Sequence, residues 1–169
     1  MLRPGISTQP RTGPRRLASR DEIREAGIEM ARHARHELIL FDLTLAADLY
    51  DDPDFVAAVK TLALARPNRP IRILLGAPQW SDPRPRHLIG LAQRLASRIA
   101  IRRLPDDCLE RSDAFLIQDA KGYLMRTIAT HDTAILDTQG RREARRLRDA
   151  FEQLWAHGEI DPELRRLDL

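Results

Sequence analysis

Residues 112–132 bring together side chains that can do chemistry on an ester: Ser112, Asp119, Thr127, and His131 beside Asp132. Ser112 is a possible nucleophile, but a serine attacks only when a positioned base takes its proton. A histidine is the side chain best suited to that task near neutral pH. Adjacent residues on an extended chain point apart, however, so Asp132 is poorly placed to orient His131. A polar pair on a surface loop is the plainer expectation. Thr127 carries a hydroxyl suited to an oxyanion and is also an ordinary strand residue. Asp119, at a turn, is expected to accept backbone hydrogen bonds.

These residues sit on a predicted β-hairpin. Ala114-Phe115-Leu116-Ile117 is an apolar run, Asp119-Ala120-Lys121-Gly122 a turn, and Tyr123-Leu124-Met125 the return strand. Gly122 is expected to supply the positive φ that tight reversals need. Period-2 geometry then places Ser112 and Ala114 on one face.

Upstream, Ser19 and Glu22 have the spacing of a capping box, and the helical period of Ile23, Ala26, Met30 and Ala34 runs to about residue 35. Leu38-Ile39-Leu40-Phe41 is a continuous apolar run, as in a strand covered on both faces. Asp52-Pro53 opens a second helix with Phe55, Val56, Val59 and Leu62 on its buried stripe. Ile71 to Leu75 forms the next strand. Asp82 or Pro83 opens a third helix that carries Leu88, Leu91, Ala92, Leu95 and Ala96, and Ile99-Ala100-Ile101 a third strand. After the hairpin, Ala134-Ile135-Leu136 gives a sixth strand. Gly140 precedes a last helix from Arg141 to about His157, and residues 160–169 add a short closing helix. Strands alternating with helices, then a meander, then a helix, describe an α/β sandwich with a mixed β-sheet flanked by helices.

This element order, the hairpin, Asp119 and the Phe151-x3-Trp155 ending resemble one half-domain of the phospholipase D-like superfamily. Its active strand carries His-x-Lys-x4-Asp, followed by Gly-Ser-x-Asn. Laid on this sequence, the histidine falls on Ser112, the lysine on Ala114 and the aspartate on Asp119. The later Gly, Ser and Asn fall on Arg126, Thr127 and Ala129. The resemblance implies a degenerate, inactive motif, since it lacks both the nucleophile that attacks phosphorus and the cation that neutralises its oxygens. It also implies a vestigial phosphate pocket at Ser112, Ala114, Asp119, Thr127 and His131. Such units occur attached to acyltransferase-like domains in bacterial proteins, so an acyltransferase-like enzyme is one implied partner. A homodimer, as in the short nucleases, is another. No cofactor or metal is implied.

The remaining residues bound the function. Cys108 is the only cysteine, which excludes a disulfide framework and cysteine-based zinc sites and suits a reducing, cytoplasmic setting. No apolar run is long enough to span a bilayer. Net charge is +3, and residues 1–20 carry five arginines and no acid, so residues 21–169 sum to −2. Residues 1–18, rich in Arg and Pro, are expected to be a disordered tail ahead of one domain at 19–169. His33 and His36 suit a helix C-terminus, and with His87 and His157 they form no metal-ligand spacing. Arg141 and Arg142, at the start of an arginine-rich helix, and Trp80, on a loop after a strand, are candidate interface residues. Three functions stay open: a non-catalytic binding module, a divergent dimeric phosphodiesterase or nuclease using His131, and a nucleic-acid-binding module using the basic tail and last helix.

Overall fold

The computed structural model describes residues 13–76, 83–106 and 111–161. Along them run β1 (Arg15–Leu17), α1 (Arg20–His33), β2 (Leu38–Asp42), α2 (Ala47–Tyr50), α3 (Pro53–Ala65), β3 (Ile71–Leu75) and α4 (Arg86–Arg94). They are followed by β4 (Ile99–Arg103), β5 (Ala114–Gln118), β6 (Gly122–Arg126), β7 (Ala134–Asp137), α5 (Arg141–His157) and β8 (Glu159–Ile160). The strands form one sheet in the order β1-β7-β6-β5-β2-β3-β4-β8. β2, β3 and β4 are parallel, and every other neighbouring pair is antiparallel.

Local chemistry starts the long helices where the sequence places them. The Ser19 hydroxyl accepts from the Glu22 N–H at 3.2 Å, and the Glu22 carboxylate reaches back to the Ala18 N–H at 2.8 Å. Asp52 caps α3 through the Asp54 N–H, with Pro53 in the first turn. Helices α1, α2, α3 and α4 cover one face of the sheet, where Ile23, Met30, Phe55, Val59 and Leu88 meet Leu38, Leu40, Ile73 and Leu116. On the other face, α5 buries Ala144, Leu147 and Phe151 against Ile39, Phe41, Phe115 and Ile117. The central strand β2 is buried throughout, which explains its uninterrupted apolar run.

The parallel strands give the sheet two distinct ends. At the carboxyl end lie Asp42, Leu75 and Arg103, with the start of β5 and the β6–β7 loop. At the amino end lie the loops that precede β2, β3 and β4, the β5–β6 turn and the start of α5. Among the described residues, no helix is long and apolar enough to cross a membrane.

Some elements depart from the sequence reading. Arg15–Leu17, inside the stretch expected to be disordered, pairs antiparallel with β7, and Leu17 is buried. Three residues are too few to show a period. The hairpin takes its positive φ values at Asp119 (55°) and Ala120 (52°), not at Gly122. Gly122 is needed instead for closeness, since a Cβ there would lie 3.2 Å from the Thr138 backbone. The third helix begins at Arg86 and ends at Arg94. Ile160 lies in a strand, not in a closing helix. Asp82, Trp80 and residues 162–169 lie outside the described residues.

Candidate functional site at the carboxyl end of the sheet

The site grows from register. Ala114 on β5 pairs with Arg126 on β6, so both side chains leave the sheet on the face that packs against α1 and α2. Ala114 is buried and Arg126 is only 3 % exposed. A buried guanidinium must have its donors satisfied, and here partners are at hand. One terminal nitrogen donates to the Ala129 carbonyl; the other donates to the Asp42 carboxylate and approaches the Tyr50 hydroxyl at 3.5 Å. Asp42, also 3 % exposed, closes β2, and its other oxygen accepts from the Leu43 N–H at 2.7 Å.

This cluster ties four segments together. Asp42 organises the turn after β2, in which Leu45 is fully buried at the positive φ of 56°. A leucine is held there only when its surroundings over-determine it. Arg126 grips the β6–β7 loop at Ala129, and the Ala129 N–H donates to the Ser112 carbonyl at 2.6 Å, fixing the segment before β5. Burial works against the Arg126 charge, and Tyr50 and Asp42 more than offset it, so the guanidinium stays protonated. Burial also pushes the Tyr50 phenol up to about 12. It pushes the Asp42 carboxyl up as well, against the pull of Arg126 and of the N–H groups of Leu43 and Thr44.

The residues singled out from sequence lie in different places. Ser112 is exposed at the carboxyl end, and its contact to the β6–β7 loop runs through the backbone. Thr127 is exposed beside Met125 and Ile135, on the opposite face from Ala114, in a shallow groove of about 380 Å³. His131 is exposed in a turn closed by its own N–H to the Ile128 carbonyl. Asp132 turns to Arg20 at 3.4 Å, and Arg20 also grips Asp48 with two bonds of 2.5 and 2.7 Å.

Asp119 lies at the amino end, a strand length from Ser112. Its carboxylate accepts from the N–H groups of Arg35, His36 and Glu37 at 2.8–3.3 Å. Burial alone would push this carboxyl up, but those N–H groups outweigh it and hold Asp119 below the usual carboxylate range. Arg141 and Arg142 are exposed in the first turn of α5.

Sequence reasoning missed Asp42 and Tyr50. The one available signal was the charge that ends the apolar run at Phe41-Asp42. It also missed a histidine–carboxylate pair, in which His87 Nδ1 lies 2.9 Å from Asp51. The other Asp51 oxygen accepts from the Leu88 N–H at 2.9 Å, so the pair clasps the start of α4. Among the described residues no three His, Cys, Asp or Glu side chains converge as a metal site.

With this geometry in view, comparisons with known proteins show what the chain is similar to. A family model described as a domain of unknown function (DUF7931) matches residues 19–167. No curated protein matches the sequence. Among solved structures, Nuc from Salmonella typhimurium, a phospholipase D family member, aligns over 88 % of this chain and 99 % of its own, with 11 % identity and a TM-score of 0.65. NucT from Helicobacter pylori aligns over the same shares with 10 % identity and a TM-score of 0.62. TrmBL2, an archaeal chromatin protein described as binding DNA in a novel mode, aligns over 92 % of this chain with 18 % identity and a TM-score of 0.63. The chain spans 57 % of the length of TrmBL2. The fold is therefore that of the phospholipase D-like proteins.

Proposed function

We propose that this chain, which belongs to the DUF7931 family, is a non-catalytic phospholipase D-like domain that works as a binding module. The observation that carries the reading is the buried Arg126–Asp42 pair in register with Ala114. Where the resemblance calls for a free lysine to meet phosphate, the cation present is sealed inside the domain and bonded to a carboxylate, a carbonyl and a phenol. It supplies no charge to an incoming ligand. Ser112, in the place of the nucleophilic histidine, has no base among its described contacts, and among the described residues no carboxylate orients His131. Each missing element removes several kcal/mol of transition-state stabilisation. A chromatin protein of similar fold, described as binding DNA, supports the idea that this scaffold can serve in binding.

An amide NMR titration with inorganic phosphate tests whether a phosphate pocket remains at this end. The reading predicts no saturable shifts at Ser112, Thr127 or His131. Saturable shifts clustered there would show an open pocket and reverse it.

A further inference from the structure

The body of the protein has a net charge of −2, but the fold sorts that charge by sheet end. At the carboxyl end, Asp48, Asp51, Asp52, Asp106, Asp113 and Asp132 gather around the loops. The amino end is basic. Its two loop acids are both consumed internally: Glu37 by Arg72 and Arg148, and Asp119 by three backbone N–H groups. Some of its arginines are scaffold as well. Arg98 binds the carbonyls of Ala63, Leu64 and Arg66, and Arg66 binds the Arg35 carbonyl and the His36 ring.

The cations left over include Arg35, Arg69, Lys121, Arg141 and Arg145. None of their side chains has an ion-pair partner among the described residues. Arg35, Arg69, Arg141 and Arg145 are exposed, and Lys121 is half-exposed. They form one arc. Asp119 pins the turn that carries Lys121 against the Arg35 loop, Arg66 joins that loop to the one bearing Arg69, and Arg148 ties the Arg141–Arg145 side of α5 to Glu37. The acids on that helix are Glu143, bonded to Arg146, Glu152, bonded to Arg72, and the exposed Asp149 one turn beyond Arg145.

Helix electrostatics does not account for this set. Helices α1, α3 and α4 end here, and their negative dipole ends favour cations such as Arg35. Arg69 and Lys121 lie on turns. Arg141 and Arg142 stand in the first turn of α5, where the dipole favours acids and disfavours them.

We infer that this amino-end edge is a docking surface for the phosphate backbone of a nucleic acid. It rests on the binding-module reading above and names a partner for it, on the end away from Ser112. Guanidinium forks match phosphate oxygens bidentately. The arc spans β5, β2 and β3 with strands about 4.8 Å apart, and the start of α5 beyond, a length that a polyphosphate strand fills and a single anion does not. Among the described residues Leu64 is the one large apolar side chain exposed along it, too little to enter a bilayer.

The test is fluorescence anisotropy of a labelled 20-base-pair duplex with the full chain, titrated from 50 to 200 mM salt. The variants are Arg69→Glu, Arg141→Glu, Arg86→Glu on the start of α4, and Arg3→Gln with Arg11→Gln. Arg141→Glu is the sharpest of them, because an acid in the first turn of α5 keeps or raises stability while opposing phosphate. The wild type should bind, with Arg69→Glu and Arg141→Glu each weakening it by about tenfold and lowering the log–log salt slope by about 0.9. Arg86→Glu, with the same charge change, should weaken it far less. The inference fails if the duplex does not bind, if Arg86→Glu costs as much, if the tail variant alone abolishes binding, or if only phosphatidylserine vesicles bind. Phosphodiesterase turnover would overturn the non-catalytic reading and leave this surface to be judged by the same variants.

Discussion

Arg126 shows how one buried residue can tie a site together. Removing one partner of a buried ion pair strands the other, at a cost of about 3–5 kcal/mol, whereas replacing both by apolar groups of similar volume can be nearly neutral. Arg126→Ala should therefore lower the urea unfolding free energy by about that amount. Arg126→Met combined with Asp42→Leu should recover most of it. If the double variant is as unstable as the single one, the pair is not the stabilising unit described. Asp119 makes a second case. Its folded pKa is depressed, so its contribution is present above the unfolded value near about 3.9 and is lost as pH falls through the folded value. Asp119→Asn keeps a residue tolerant of positive φ and should cost about 1–2 kcal/mol at pH 6. The gap between variant and wild type should shrink as the pH is lowered below the unfolded value in the same unfolding assay; parallel curves would contradict the assignment. At this scale the sequence was informative about Asp119, because a turn aspartate has few other uses. It was silent on Asp42 and Tyr50, whose meeting with Arg126 spans 76 residues or more and depends on strand register.

At the level of elements, periodicity and caps located the helices α1, α3 and α5, the hairpin and the strands β2, β3, β4 and β7. Ser19, Asp52-Pro53 and Gly140 carry local chemistry that needs no tertiary context. The misses share a cause: β1, β8 and the four-residue α2 are too short to show a period, and each exists because a longer neighbour offers it an edge or a surface. The joint between β7 and α5 is the tightest of those described. A Cβ on Gly140 would lie 2.5 Å from the Tyr123 ring and 2.9 Å from an Asp137 carboxylate oxygen, neither of which can retreat without moving buried groups. Gly140→Ala should destabilise by about 1–3 kcal/mol, with chemical-shift changes centred on Tyr123 and the first turn of α5. An unchanged melting midpoint would mean that the joint has room the structure does not show.

The whole molecule is bipolar in a way that composition hides. Acids and bases nearly cancel along the chain, and only the parallel alignment of β2, β3 and β4 sends the loops rich in aspartate to one end and those rich in arginine to the other. The vestigial-pocket candidates, close in sequence, are divided between the two ends and the two faces, while Arg35, Arg69 and Arg141, remote in sequence, share an edge. Phospholipase D-like architecture was legible from element order. The internal use of the site's one buried cation was not. Turnover of bis-p-nitrophenyl phosphate and of DNA, compared among the wild type, Ser112→Ala and His131→Ala, tests the non-catalytic account most directly. The account predicts no hydrolysis above background in any of the three. Hydrolysis by the wild type that disappears in either variant would contradict it.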